Sequence, residues 1–247
     1  MKRVLSVLFF LVVNCIGYSL NFKLYPTSFN LDINKTSVNE VTIINETLNP
    51  LRVTIYPEKD IEFGEDYNLN NNITIVPKNI SLKPGGSQVV RFRIKPDATR
   101  KVGEFRSYLT FKEILPEIKT TATTNTDGLM SNIQFITELS IPVSASGDSL
   151  VVDGSVKNVK LKYNGGNSIL TATLTSKGNT AMRLNYDLEV IGKNIKRTGS
   201  IGSSKREGVS ELKTPIELGK KLDGSKVKLI IKDQNGKEYY NNTLILQ

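Results

Sequence analysis

The side chains that most often carry chemistry are sparse in this sequence. Histidine is absent, and the single cysteine, Cys15, lies in an apolar N-terminal stretch. Histidine-dependent nucleophilic catalysis and histidine-based zinc sites are therefore excluded. Thiol chemistry goes with Cys15 once that stretch is removed. Acidic residues gather in PEKDIEFGEDYN (57–68) as Glu58, Asp60, Glu62, Glu65 and Asp66. They lack the alternating Asp/Asn pattern and closing Glu of a calcium loop, so a solvated loop is expected. Two carboxylates could serve a glycosidase. The aromatic-rich carbohydrate cleft of such a hydrolase is not expected, because tryptophan is absent. GSIGSSK (199–205) has glycines and a lysine without the spacing of a phosphate loop. No enzymatic activity, cofactor or metal is expected. Asn-X-Ser/Thr triplets at Asn34, Asn45, Asn72, Asn79 and Asn241 matter only in a glycosylating host.

Composition points to a folded chain, with 38% hydrophobic and 23% charged residues. The 247 residues suffice for one large or two ordinary domains. The formal net charge is +9, of which Lys2 and Arg3 supply two. An excess of this kind favours nucleic acid, anionic membrane or simply a solvated lysine-rich surface. The basic residues are scattered, and no basic–aromatic pattern of an RNA-binding sheet is present, so no nucleic-acid partner is expected.

MKRVLSVLFFLVVNCIGYSLNF has a basic start, an apolar run from Val4 to Val13, and small residues at Cys15, Gly17 and Ser19. This is the layout of a secretory signal peptide, 1–19, with cleavage after Gly17 or Ser19. The run is short for a bilayer span, and no second stretch of membrane length follows, so stable membrane insertion is not expected. A lipoprotein reading would acylate Cys15, against which Asn14 is a poor preceding residue.

The elements that must position any site are strands. In GEFRSYLTFKEILPE (103–117), Phe105, Ser107, Leu109 and Phe111 alternate with Arg106, Tyr108, Thr110 and Lys112. NFKLYPTSFNLDI (21–33) reads as extended and broken by Pro26. EVTIINE (40–46), LRVTIYP (51–57), NITIVP (72–77) and VVRFRIKP (89–96) follow, the last with Val90, Phe92 and Ile94 inward. NIQFITELSIPVSAS (132–146) is the longest alternating run. About seven strands without a helical period predict an antiparallel immunoglobulin-like sandwich over 20–146. SASGD (144–148) reads as a short hinge. A second all-β domain, 147–247, restarts with SVKNVKLKY, SILTATLTS, MRLNYDLEV, GVSELKTPIEL, KVKLIIKD and EYYNNTLIL. The QNG between the last two is a hairpin signal.

Within this frame, LKPGGSQVVRFRIKPDATRKVGEFRSYLTFKEILPE (82–117) resembles the signature region of the periplasmic chaperones of chaperone–usher pili, a PapD-like family. The shared features are a Pro-Gly turn, an Arg-containing strand, a linker, an Arg/Glu-Ser-x-hydrophobic strand and an ending here read as KEILP. KLYPTSFNLD is similar to the family's first strand and IQFITELSIPV to its last strand in domain one. TLTSKGNTAMRLNY (173–186) is similar to a strand pair of its second domain. The SIPV form resembles divergent branches of the family.

The resemblance implies two immunoglobulin-like domains arranged as an L, acting in the periplasm. It implies a partner pilin subunit lacking one strand, to which the chaperone lends its last domain-one strand before delivery to an outer-membrane usher. The free protein has the option of capping itself as a dimer. By this resemblance Ile133, Phe135, Thr137 and Leu139 enter the subunit groove, although the apolar members also suit a sandwich core. The family's basic clamp for the subunit's C-terminal carboxylate would fall to Lys23 with Arg106 or Lys112. Glu138, Ser140 and Ile141 stand where the last strand's lysine is expected. An Arg106–Asp223 pair is expected to set the angle between domains. The alternative is an exported Ig-like adhesion or structural module of the cell envelope.

Overall fold

The computed structural model describes residues 20–97, 99, 102–115, 135–163, 167–219 and 222–246. The all-β, two-sandwich architecture that the alternation predicts is the one found. Among the described residues the only helical element is a 3-10 turn, Glu65–Tyr67. No helix among them is long and apolar enough to cross a membrane.

The first sandwich contains β1 (Phe22–Tyr25), β2 (Phe29–Asp32), β3 (Ser37–Asn45), β4 (Leu51–Lys59), β5 (Ile73–Val76), β6 (Asn79–Leu82), β7 (Ser87–Ile94), β8 (Glu104–Glu113) and β9 (Glu138–Ser146). One sheet has the order β1-β3-β7-β5 and the other β2-β9-β8-β4-β6. Alternate residues supply the core between them: Val90, Phe92 and Ile94 from β7 meet Leu109 and Phe111 from β8 and Ile141 and Val143 from β9.

The 21–33 segment forms two strands in different sheets. β1 runs antiparallel to β3, and β2 runs parallel to β9. The change falls at Pro26, which has no N–H for either ladder. β6 adds a strand that the sequence pattern missed. Pro57 lies inside β4 without breaking it. Ile55 N donates to Lys78 O, so odd residues of β4 aim their backbone groups toward β6. β6 stops opposite Thr54, so no ladder donor is needed at residue 57.

The second sandwich contains β10 (Gly154–Lys162), β11 (Asn167–Ser176), β12 (Arg183–Val190), β13 (Ile195–Ser203), β14 (Gly208–Glu217), β15 (Lys226–Asp233) and β16 (Glu238–Ile245). Its sheets are β10-β11-β14 and β13-β12-β15-β16, over a core that includes Leu174, Met182, Leu188 and Leu229. β13 was not expected from its Gly- and Ser-containing sequence. It holds part of GSIGSSK in a ladder against β12.

Candidate functional site

β9 has a half-covered edge. Thr137 O accepts from Glu113 N on β8, whereas Ser146 O accepts from Ile33 N just past β2. The β8–β9 register is unbroken between these points. Odd residues of β9 therefore turn their backbone groups toward β8, and even residues toward the opposite edge. β2 covers that edge only from Val143 to Ser146. Among the described residues, Glu138 and Ser140 have no ladder partner on that side. Pro142 presents its donor-less nitrogen to the same edge, so the β8 ladder loses nothing.

The open edge borders a cleft of about 330 Å³ between the two sheets. Leu20, Phe22, Lys23 and Leu24 line one wall, and Leu139, Ser140 and Ile141 the other. Leu139 is half-buried against the core, and Ile141 is buried. Phe135, in sequence phase with both, is 83% exposed. Its neighbour Ile136 is 52% exposed. Core packing therefore does not account for Phe135. Thr137 is half-buried. Ile133 lies outside the described residues.

Glu113 ties the two walls together, a role the sequence did not reveal. Its Oε2 accepts from Asn21 Nδ2 at 2.8 Å and from Thr137 N at 3.2 Å. Lys112 beside it pairs with Glu138 at 2.9 Å, and Tyr56 OH donates to the same carboxylate at 3.3 Å. The Lys112 hydrogen bond holds the Glu138 carboxyl below its ordinary range, and Glu138 in turn raises Lys112. The KE of KEILP thus fastens the entry into β9.

The three cations expected to form a carboxylate clamp do not converge. Lys23 lines the cleft but bonds Glu46 at 2.8 Å. Lys112 is engaged by Glu138. Arg106 stands six residues from Lys112 on the same strand, which is about 20 Å at the rise of an extended chain.

Arg106 and Asp223 do not form the expected pair either. Arg106 lies 3.2 Å from Glu104 and 3.6 Å from Asp60, with its guanidinium 4.4 Å from the Phe63 ring centroid. Asp60 is buried, and its Oδ1 accepts from Phe63 N at 3.0 Å, so this part of the acidic stretch is not a solvated loop. Asp223 occupies the turn before β15, beyond the end where Val227 pairs with Val190. Arg183 is at the other end of β12, seven residues away, or about 23 Å.

Glu104 makes the contact between sandwiches instead. Its carboxylate is buried and accepts from Thr180 Oγ1 at 2.7 Å and Ala181 N at 3.3 Å. It also bonds Arg183. Arg206 Nη1 donates to Glu104 O at 2.9 Å, and its guanidinium lies 4.1 Å from the Tyr67 ring centroid. Burial pushes the Glu104 carboxyl up, but the Thr180 hydrogen bond and the Arg183 and Arg106 charges outweigh it, leaving the group below its ordinary range. Gly103 admits this packing: it has φ +91°, and a Cβ there would meet Asn179 O at 2.6 Å.

No family model and no curated protein matches the sequence. Solved structures do. The structure of the Salmonella enterica SafA pilin in complex with the SafB chaperone matches at 12% identity and TM-score 0.49, covering 93% of this chain and 98% of that one. The CsuC–CsuE chaperone–tip adhesion subunit pre-assembly complex of Acinetobacter baumannii matches at 16% identity and TM-score 0.46, covering 91% and 97%. The Pseudomonas aeruginosa CupB2 chaperone matches at 11% identity and TM-score 0.46, covering 91% and 100%. Over more than nine-tenths of its length, the chain is similar in structure to chaperones of the chaperone–usher pili.

Proposed function

We propose that this protein is a periplasmic pilus-assembly chaperone that holds unassembled pilin subunits by lending them the start of β9. In this reading residues 1–19 are removed on export, 20–146 form the subunit-binding domain and 147–247 the second domain. The observation that carries the reading is the open edge at Glu138 and Ser140, set in an apolar cleft and preceded by the exposed Phe135. An incomplete subunit sheet can dock on those backbone groups while Phe135, Thr137 and Leu139, with Ile133 ahead of them, fill its groove. Docking also shields the subunit's own unpaired edge from aggregation. Delivery to an outer-membrane usher completes the role. Lys23 is the cation of the cleft, and it would have to exchange Glu46 for the subunit's terminal carboxylate.

The test is co-purification of an exported subunit with the wild-type protein and with Phe135→Asp, alongside thermal melts of each chaperone alone. Loss of capture with an unchanged melt is expected. Normal capture by the variant would remove β9 as the donated strand.

A further inference from the structure

We propose that the outward face of β10-β11-β14 docks on an anionic phospholipid surface. The proposal rests on charge and strand geometry and is independent of the subunit-binding reading. Residues 154–247 hold seventeen Lys and Arg against eight Asp and Glu, whereas residues 20–153 hold fourteen against sixteen. The net charge of the chain thus resides in the second sandwich, and an asymmetry between halves of this size marks a surface for an anionic partner.

One sheet face carries four of those cations without ion-pair partners among the described residues: Lys157, Lys160 and Lys162 on β10 and Lys213 on β14, all exposed. Glu211 and Glu217 on β14 are the acidic residues of the same face. A bulge creates the array: Lys157 faces Thr173 and Lys160 faces Thr171, so three steps on β10 oppose two on β11. Asn158 takes the turn with φ +53°. Without the extra residue the alternation would place Lys160 on the core side. With it, Val156, Val159 and Leu161 pack against the core while all three lysines face outward.

Thr171 and Thr173 lie between the lysine rows and line a depression of about 660 Å³ with Lys160, Lys213 and the one carboxylate of the lining, Glu211. It offers hydroxyl and ammonium donors to phosphate oxygens. Val209, at the margin of the same face, is 56% exposed and can enter the headgroup boundary. The face carries neither an aromatic side chain for base stacking nor an arginine for bidentate reading of bases. Dispersed lysines on a broad sheet suit a fluid array of headgroups.

The experiment is co-sedimentation of the purified protein with vesicles of phosphatidylglycerol and phosphatidylcholine, against pure phosphatidylcholine. Binding to the mixed vesicles alone is expected, with loss in molar salt. Each lysine near an anionic surface contributes about fivefold in affinity. Reversing Lys157, Lys160, Lys162 and Lys213 to Glu should therefore weaken binding more than a hundredfold. Reversing Lys35, Lys78, Lys83 and Lys95 changes the net charge equally and should leave most of the binding. Equal loss in both variants would overturn the proposal, as would tighter binding to duplex DNA than to the vesicles. If the first variant fails to melt like the wild type, the four Lys→Gln changes take its place with the same two outcomes.

Discussion

Thr180 Oγ1 donates to Glu104 Oε2 at 2.7 Å, joining the loop before β12 to the start of β8. Arg183 and Arg106 approach the same carboxylate from the two sandwiches. Glu104→Ala should therefore leave two cations facing each other over an unfilled acceptor site. Breaking a buried pair costs about 3–5 kcal/mol, and the low end applies because the Arg183 side chain is 40% exposed. Urea unfolding should show that loss together with a split into two transitions, since the sandwiches then unfold less cooperatively. A single transition of unchanged midpoint would show that Glu104 does not couple them.

The same carboxylate sets a pH dependence. Its folded value lies below the ordinary 4.5. A depressed carboxyl contributes stability that is fully present above the unfolded value and is lost as pH falls through the folded value. The stability difference between wild type and Glu104→Gln should be constant above about pH 4.5 and should shrink below it. Denaturant titrations through that range check the sign. A difference that grows on acidification would contradict the assignment.

The strand periodicity of β7 and β8 was legible because each strand sends most of its apolar residues to one face, and a period of two then shows directly in the residue types. Glu104 and Thr110, on the other face of β8, are buried as well. β13 was not legible. IKRTGSIGS buries Ile201 alone, so it lacks the alternation that marks a strand. The Arg106–Asp223 pair is what the resemblance implies, and nothing in the residue types around Asp223 shows that it sits before β15, at the Val227 end of the second sandwich. Glu104 escaped notice for another reason. Nothing local distinguishes a buried acceptor from a surface glutamate, because its partners Thr180 and Arg183 are more than seventy residues away.

Glu113 offers a test of how the entry into β9 is held. Its carboxylate accepts from both Asn21 and Thr137, so Glu113→Ala frees the two walls of the cleft mouth together. A hydrogen bond to a charged acceptor contributes about 1.5–3 kcal/mol. Amide hydrogen exchange at Thr137 should accelerate about tenfold or more, while Ile141, deeper in the same strand, keeps its protection. Equal acceleration at both positions would mean that Glu113 supports the whole sheet.

Phe135 and Leu139 lie on one line of alternation but should respond oppositely to truncation. Leu139 packs against the first core, so Leu139→Ala should lower the stability of the free protein by about 1–2 kcal/mol, less than a fully buried leucine. Phe135 is 83% exposed, so Phe135→Ala should change that stability by less than about 0.5 kcal/mol. In the proposed complex the ranking reverses. Burying the Phe135 ring in a subunit groove contributes on the order of 1.5–3 kcal/mol, about a tenfold to hundredfold change in affinity. Leu139 is already half-covered before the subunit arrives and has less surface left to bury. Titration of purified subunit against both variants, read with their melts, separates the two roles. A subunit affinity more sensitive to Leu139 than to Phe135 would contradict the placing of Phe135 in the subunit groove.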